Sequence, residues 1–261
     1  MNHINFGNTG LKVSRLSIGT GTHGWARRSD QTALGLDGLA NLLRRAYDAG
    51  VNFWDAADHY GSHPHVARAL QGLPREQVVI ATKTMARRGA DVAKDLVRFR
   101  KELNTDVLDI VLLHTLSDAN WPKKCADAMD VLSRAKEAGI VRAVGMSCHS
   151  LGALRAAVET PWVDVVLVRI NHMGINMDAS PAKVVPLIEK LYAAGKAVYG
   201  MKVLGCGALK DNVRAAIEYV LQLGAVHAIT IGITSVAQLE ENVRLVEELD
   251  LSGFPKPDRS E

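Results

Sequence analysis

Eight short apolar segments recur along the 261-residue chain at intervals of about 21 to 35 residues. They are nearly continuous in apolar residues rather than alternating, which is typical of parallel strands buried on both faces. The predicted strands span residues 16–19, 51–56, 78–82, 108–113, 142–146, 163–170, 197–201 and 228–232.

Stretches with helical spacing of apolar residues separate these segments. In residues 31–49, for example, Leu39, Leu42 and Ala46 recur beside charged residues at that spacing. Several stretches are followed by a glycine, such as Gly50, which suits the left-handed backbone just past a helix end. The predicted helices span residues 31–49, 92–103, 125–138, 151–159, 182–194, 210–222 and 236–249.

Strands that alternate with helices fit two architectures, an eight-stranded β/α barrel and a doubly wound open sheet. The open sheet usually carries a Gly-x-Gly-x-x-Gly loop that opens directly into a helix. Gly19, Gly21 and Gly24 have this spacing, but the residues that follow do not open a helix at once. We therefore predict an α/β fold of the (β/α)8 TIM barrel type. A β-hairpin at about residues 4–13 is expected to close the barrel floor.

Composition excludes several classes of function. The net charge is only +3 and no block of like charges occurs, so no nucleic-acid partner is expected. No apolar run approaches the roughly 20 residues of a membrane span, and no signal-peptide pattern is visible. Three widely spaced cysteines suggest reduced thiols in a cytoplasmic protein. We expect a single domain over residues 1–261 with a loose tail from about residue 251, and no signal indicates an oligomeric state.

Ionisable residues follow the C-terminal ends of three neighbouring predicted strands. Asp55 ends the second strand, and Tyr60 follows five residues later. Lys83 follows the third strand and His114 the fourth. Taken singly, such residues are most often turn caps, surface groups or hydrogen-bonded rim residues. Because the C-terminal ends of barrel strands share one mouth, the four together predict an active site.

Proton delivery to a carbonyl oxygen is the chemistry that this set suits. A tyrosine with a pKa near 10 is a weak acid at neutral pH, and a nearby ammonium lowers that pKa by stabilising the phenolate. We expect Lys83 to act in this way on Tyr60, with Asp55 holding the lysine in an ion pair. His114 would hydrogen-bond the same carbonyl oxygen or relay the proton. The set has no obvious electron source, so a cofactor must supply a hydride.

With these residues, the sequence resembles the aldo-keto reductase superfamily over nearly the whole chain. The resemblance implies an NAD(P)H-dependent reductase of aldehydes and ketones, with Tyr60 as the acid, Lys83 and Asp55 as its tuners, and His114 orienting the carbonyl. The motifs that carry it are residues 53–61, 81–83, 112–114, 145–147, 231–233 and 238–242.

The resemblance also implies residues around the nicotinamide, although some of the family's usual side chains are replaced. Cys148 stands where asparagine is usual, Leu167 where glutamine is usual, and Met201 where an aromatic ring usually stacks. A thioether can pack on a ring face. The residues implied at this end of the cofactor are Gly21, Thr22, Asp55, Ser147, Cys148, Asn171 and Met201.

A glycine-containing loop after the seventh strand could cradle the pyrophosphate with its backbone amides. It contains Lys202, Leu204, Gly205 and Gly207, although a plain turn is an equally good interpretation of its two glycines. After the eighth strand, Gly232 and Gln238 replace the lysine and arginine that often bind a 2′-phosphate, and Glu241 and Asn242 remain as adenine contacts. Family habit alone therefore favours NADPH, with NADH possible.

The resemblance places five residues on the substrate side, in an open and shallow pocket for a small carbonyl compound. These are His23, Trp25, Trp54, His59 and Thr115. His63 and His65 could suggest a metal, but a His-x-His pair in a polar loop without carboxylates is expected to face solvent. We predict no metal site.

Two other functions stay open. One is a lyase that forms a Schiff base at Lys83, although an ion-paired lysine stays protonated and is a poor nucleophile. The other is a non-catalytic NADP(H)-binding sensor or regulatory subunit. The complete set of four polar residues argues against a sensor, whereas Cys148 and Leu167 favour it.

Overall fold

The computed structural model describes residues 1–251, within which eight parallel strands close into a barrel. Each barrel strand pairs with the next along the chain, and the last pairs with the first. The predicted TIM barrel is therefore confirmed. The barrel strands are β3 (Leu16–Gly19), β4 (Phe53–Asp55), β5 (Val79–Thr84), β6 (Leu108–Leu116), β7 (Val141–Cys148), β8 (Val165–Arg169), β9 (Ala197–Met201) and β10 (Ala228–Gly232).

Helices follow the strands on the outside of the barrel. Their apolar faces pack against the outward side chains of the strands and form an outer core. The helices are α1 (Leu36–Asp48), α2 (His63–Leu70), α3 (Gly89–Leu103), α4 (Trp121–Lys124), α5 (Ala126–Glu137), α6 (Leu151–Glu159), α7 (Pro181–Ala193), α8 (Val213–Gln222) and α9 (Val236–Leu251).

Side chains alternate between the barrel interior and the helices along each strand. In β4, Phe53 belongs to the inner core, whereas Trp54 is fully buried in the outer core. Asp55 is again directed inward, where its carboxylate contacts Lys83 and Tyr199. The two-residue period thus decides which side chains of each strand can reach the site.

A β-hairpin closes the N-terminal end of the barrel, as predicted. Its strands, β1 (His3–Asn5) and β2 (Lys12–Ser14), pair antiparallel. Phe6, between them, is fully buried and packs edge-on against Phe53 at 5.3 Å and Tyr199 at 6.0 Å between ring centroids. The hairpin therefore covers the inner core and leaves the C-terminal end of the barrel for the site.

Three differences between the observed and the predicted elements bear on the site and its surroundings. The helix predicted over residues 31–49 begins at Leu36, because Gly35 has φ +78° and ends the preceding 3-10 turn. Helix α2 was not predicted, since it has only eight residues with Pro64 in its first turn. Strands β5 and β6 run past Lys83 and His114, which therefore lie within strands rather than just after them.

The predicted loose tail lies outside the described residues, apart from Leu251 at the end of α9. Among residues 1–251, no helix combines the length and the apolarity needed to span a bilayer.

Candidate active site

Neighbouring strands carry the predicted ionisable residues to the C-terminal end of the barrel. Asp55 is the last residue of β4, and Lys83 lies near the end of β5 beside it. His114 lies near the end of β6, the next strand. Tyr60 follows β4 in a 3-10 turn, Asp58–Tyr60, which places its ring against Lys83 and His114. The structure therefore brings all four residues together.

A buried ion pair joins Asp55 and Lys83 inside the barrel. The ammonium group donates to both Asp55 carboxylate oxygens, at 2.7 and 2.8 Å, and to the carbonyl oxygen of Ala56 at 2.8 Å. These bonds use all three hydrogens of the ammonium group. Burial lowers the pKa of Lys83 from its usual value, because it disfavours the charged form, while Asp55 opposes this shift.

Lys83 faces the ring of Tyr60, and its hydrogens point elsewhere. Its nitrogen lies 4.9 Å from the ring centroid. Burial, and then the Asp55 carboxylate, raise the pKa of Tyr60 well above its usual value. The expectation that Lys83 lowers the pKa of Tyr60 is therefore wrong for this structure. Asp55 neutralises the lysine, and burial disfavours the phenolate.

His114 is a neutral imidazole beside the tyrosine hydroxyl. Its Nε2 lies 3.3 Å from the Tyr60 hydroxyl oxygen. Burial, reinforced by the Lys83 charge, holds the pKa of His114 well below its usual range. Its Nδ1 is buried and has no hydrogen-bond partner among residues 1–251. A buried N–H group without a hydrogen bond costs more free energy than a buried acceptor without one. We therefore assign the ring hydrogen to Nε2, which is directed at the reaction site.

The loop after β3 lies directly on the ring of Tyr60. A Cβ atom on Gly21 would come within 2.3 Å of the ring, and one on Gly24 within 2.4 Å. Gly61, directly after the turn that carries Tyr60, has φ +66°, and a Cβ there would lie 2.0 Å from the Arg27 carbonyl oxygen. These three glycines therefore let the loop after β3 pack against Tyr60 and the turn that carries it.

A network of charges fixes the turn that carries Tyr60. The Asp58 carboxylate accepts from Arg98 at 2.6 Å and lies 3.1 Å from Arg27. Arg27 also donates to Glu102 on α3 at 2.8 Å. Although burial favours its neutral form, hydrogen bonds from His63 and Arg27 lower the pKa of Glu102 to about 2.

His63 belongs to this network and does not face solvent. It is fully buried, with Nδ1 2.7 Å from Glu102 and Nε2 2.7 Å from Thr82. The expectation of a solvent-facing His-x-His loop is therefore wrong for His63, because the unpredicted helix α2 turns this side chain inward. Among residues 1–251, no three His, Cys, Asp or Glu side chains are arranged to hold a metal ion.

Thr22 and Gly232 meet where β3 joins β10. The Thr22 amide donates to Gln31 Oε1, and Gln31 Nε2 donates back to the Thr22 hydroxyl, both at 2.9 Å. A Cβ on Gly232 would lie 2.0 Å from the Thr22 hydroxyl oxygen. These contacts form a narrow edge of the candidate site, lined by backbone atoms, where β3 joins β10. Gln31, which the motifs did not single out, positions it.

At the end of β7, only one of the two predicted cofactor residues remains near the site. Ser147 Oγ accepts the Thr115 amide at 2.7 Å, which leaves the hydroxyl hydrogen to donate. Cys148 is fully buried in the outer core, where its thiol donates to the Ser150 carbonyl at 3.0 Å. Burial raises the pKa of the Cys148 thiol to about 12. The prediction of a cofactor contact for Cys148 is wrong, because side chains alternate along the strand.

Asn171 holds two mouth loops together. Its Nδ2 donates to the carbonyls of Ile175 at 2.7 Å and Lys202 at 3.0 Å. Its Oδ1 accepts the amides of Met173 and Ile175, both at 3.1 Å. Because the whole amide is engaged in this way, a direct cofactor contact by Asn171 stays only a prediction.

The loop after β9 contains four left-handed residues, three of them consecutive. Lys202, Gly205, Cys206 and Gly207 have φ values of +60°, +55°, +57° and +92°. The Gly205 and Gly207 amides donate within the loop, to the Lys202 and Leu204 carbonyls at 2.8 and 2.9 Å, so a pyrophosphate cradle here stays a prediction. Met201 is half-buried and packs against the inner core, and Leu204 packs against the outer core.

The residues predicted on the adenine side lie near the start of α9. Gln238 Oε1 accepts the Thr234 amide at 2.9 Å. Glu241 is exposed, and Asn242 is buried. Their contacts with a cofactor stay predictions.

The predicted substrate residues do not all reach the mouth. Trp25 is 70% exposed and stands edge-on to His59, with ring centroids 4.4 Å apart. His23 is exposed and lies 2.9 Å from Asp30. Thr115 has φ +58° beside Ser147. Trp54 faces the helices, with Nε1 donating to the Val51 carbonyl, so its predicted substrate contact is wrong.

Besides Gln31, the sequence motifs missed two titratable residues beside the site. The Tyr199 hydroxyl donates to Asp55 Oδ1 at 2.8 Å. His149 lies 6.5 Å from His114 between ring centroids, and burial, then Arg169, lower the pKa of His149 to about 4. Tyr199 lies two residues before Met201, so the two-residue strand period could have identified it. His149 had no comparable signal.

Comparison with known proteins agrees with this geometry. Residues 15–216 match the aldo/keto reductase family. The sequence is 26% identical to L-galactose dehydrogenase of Arabidopsis thaliana over 98% of this chain and 91% of that protein. It is 25% identical to the NADH-specific methylglyoxal reductase of Escherichia coli, over 68% of this chain and 61% of that protein.

Solved structures show the same architecture. A Pseudomonas aeruginosa protein described as an aldo-keto reductase aligns with a TM-score of 0.78 at 27% identity, over 95% of this chain and 94% of that one. The holo form of an aldo-keto reductase from Bacillus halodurans aligns with a TM-score of 0.77, over 95% of this chain and 91% of that one. At 19% identity, the second similarity concerns the fold alone.

Proposed function

Because this chain belongs to the aldo/keto reductase family, we propose that it reduces small aldehydes or ketones to alcohols with a hydride from NADPH. Family membership makes it an oxidoreductase that acts on carbonyl compounds. The observation that carries the proposal is the placement of Tyr60, with its hydroxyl beside neutral His114 and its ring against Lys83.

In the proposed reaction, Tyr60 is the acid. Its raised pKa keeps the phenol protonated at neutral pH. Its O–H bond breaks as a new O–H bond forms at the carbonyl oxygen, and the phenolate that remains faces the Lys83 ammonium. The Nε2 hydrogen of His114 stabilises the negative charge that develops on the same oxygen.

The site has features that fit a nicotinamide cofactor, which would supply the hydride to the carbonyl carbon when bound. Gly21, Thr22 and Gly232 form a narrow backbone edge that a Cβ atom would fill. Ser147 has a hydroxyl hydrogen to donate. Members of this family bind nicotinamide cofactors. We propose NADPH as the preferred form, with NADH also possible.

The test is oxidation of NADPH, and separately of NADH, in the presence of a panel of small aldehydes and ketones. Tyr60→Phe should lose most of the turnover while it still binds NADPH, as measured by cofactor fluorescence. Tyr47→Phe is the matched control, because Tyr47 also donates one hydroxyl hydrogen bond, to Gln77 at 2.6 Å on the surface. Full turnover by Tyr60→Phe would show that Tyr60 is not the acid.

A non-catalytic NADP(H) sensor is the second candidate. It is favoured by the replacement of two of the usual carboxamide ligands, since Leu167 is apolar and Cys148 is directed into the outer core. Tight NADPH binding without turnover of any carbonyl in the panel would support it. A Schiff-base lyase is disfavoured, because all three hydrogens of the Lys83 ammonium are engaged. Covalent trapping of a substrate on Lys83 by borohydride would support the lyase instead.

A further inference from the structure

A tyrosine on the far side of the barrel bonds to the acid of the buried ion pair. The Tyr199 hydroxyl donates to Asp55 Oδ1 at 2.8 Å, and the same oxygen accepts from Lys83 at 2.7 Å. Strand β9 is not a neighbour of β4 in the closed barrel, so this hydrogen bond crosses the interior. Tyr199 and Lys83 therefore hold the Asp55 carboxylate from two sides.

Packing fixes the Tyr199 ring independently of its hydroxyl. Tyr199 is fully buried, and its centroid lies 5.2 Å from that of Phe53 and 6.0 Å from that of Phe6. These contacts belong to the inner core and do not involve Asp55. Removal of the hydroxyl alone should therefore leave the ring in place.

We propose that Tyr199 is a positioning residue for carbonyl reduction: its hydroxyl orients the Asp55 carboxylate and reduces the negative charge that Asp55 presents to Lys83 and Tyr60. This inference rests on the proposed function. Tyr199 does not touch the reacting atoms, and it acts through Asp55.

The charge argument follows from the surroundings of each group. Burial, and then Asp55, raise the pKa of Tyr199 well above its usual value, so its hydroxyl keeps its hydrogen. A hydrogen bond from a neutral donor spreads the charge of a carboxylate. Without that bond, Asp55 acts more strongly on Lys83 and on Tyr60, and the pKa of Tyr60 rises further.

Removing only the Tyr199 hydroxyl leaves the other charged or titratable side chains around Tyr60 in place. Asp55 and Lys83 form the ion pair through which Tyr199 acts, and Lys83 faces the Tyr60 ring. The others are Asp58 and His59 in the turn of Tyr60, His114 and His149 beside it, and Arg87 after β5, which donates to the His114 carbonyl. A change of kcat in Tyr199→Phe therefore reports on the contact between Tyr199 and Asp55.

The experiment compares kcat and KM at pH 7 for the unmodified protein, Tyr199→Phe and the surface control Tyr47→Phe. Loss of one hydrogen bond to a charged group should lower kcat of Tyr199→Phe about tenfold, with KM for the carbonyl unchanged. In Asp55→Asn, adding Tyr199→Phe should lower kcat no further, because the charge that Tyr199 modulates is gone.

Several results would overturn the inference. They are an unchanged kcat in Tyr199→Phe, a fall in kcat of the same size when Tyr199→Phe is added to Asp55→Asn, and loss of the folded state in Tyr199→Phe. The last two would mean that the hydroxyl only supports the core. The inference and the proposed function also fail in different ways. Full turnover by Tyr60→Phe contradicts the proposed function, whereas an inactive Tyr60→Phe with an unchanged kcat in Tyr199→Phe contradicts this inference alone.

Discussion

The Nε2 atom of His114 lies 3.3 Å from the Tyr60 hydroxyl in a setting that keeps the imidazole neutral. Burial and the adjacent Lys83 both disfavour a second positive charge on the ring. A neutral ring can donate its Nε2 hydrogen to an oxygen that becomes negative without itself releasing a proton. His114 therefore suits an orienting and stabilising role better than that of a proton source.

We predict that His114→Gln lowers kcat/KM by about 10²-fold, as is typical for loss of one donor to a developing oxyanion. Because the pKa of His114 lies well below 6.5, the rate of the unmodified protein should show no step from this residue between pH 6 and 8. Steady-state kinetics at constant ionic strength measures both the loss of kcat/KM and the pH dependence of the rate. A step near pH 6.5 that disappears in His114→Gln would contradict the neutral imidazole.

Gly21→Ala should impair turnover far more than folding. Its new methyl group would lie 2.3 Å from the Tyr60 ring, so the ring or the loop must move. A displacement of about 1 Å at a reacting group can cost about 10²-fold in rate. Gly38→Ala, on the exposed face of α1, is the control and should retain full turnover. Equal kcat values for both variants would show that Tyr60 is not constrained by this loop.

Glu102→Gln should loosen the turn that carries Tyr60. The carboxylate accepts from Arg27 at 2.8 Å and bonds to His63 at 2.7 Å, and removing its charge weakens both bonds. We expect the free energy of unfolding to fall by about 1–3 kcal/mol and kcat to fall with it. Urea denaturation measures the first quantity. Glu137→Gln, at an exposed position at the end of α5, is the control and should leave the free energy of unfolding and kcat unchanged.

The same carboxylate gives the stability a defined acid dependence. With the pKa of Glu102 at about 2, the folded state holds fewer protons than the unfolded state below the usual value of 4.5. Its contribution to stability is therefore present above pH 4.5 and is lost as the pH falls toward 2. Glu102→Gln should lack this part of the acid dependence, and parallel curves for the two proteins would contradict the assignment.

His227 should make the protein less stable in mild acid. Burial lowers the pKa of His227 to about 4, and its Nδ1 accepts the Val198 amide at 3.1 Å. Below pH 6.5 the unfolded chain binds a proton that the folded protein does not, so the stability from the neutral ring is lost between pH 6.5 and 4. The loss should reach about 3 kcal/mol at most.

His227→Asn keeps an acceptor for the Val198 amide but cannot titrate. Denaturation from pH 8 to 4 should therefore show a smaller acid loss of stability in this variant than in the unmodified protein. If both proteins lose stability in parallel, another group is responsible.

The sequence by itself determined the barrel and the four polar residues of the site. Continuous apolar strands alternate with amphipathic helices, which fits a barrel or a doubly wound open sheet, and the Gly19–Gly24 loop that does not open into a helix favoured the barrel. Because the C-terminal ends of barrel strands share one mouth, Asp55, Lys83 and His114 could be assigned to one place from their order alone.

Only the tertiary structure decided which neighbours act on those residues. The contact between Tyr199 and Asp55 joins positions 144 apart in sequence, and no local pattern encodes such a pair. The inward turn of His63 and the outward direction of Trp54 and Cys148 likewise depend on packing around them. The pKa of Tyr60 followed the same rule: the sequence supplied a nearby lysine, but burial and the position of Asp55 set the direction of the shift. The pKa of a side chain depends on how deeply it is buried and on all the charges around it. Those surroundings exist only once the barrel has closed.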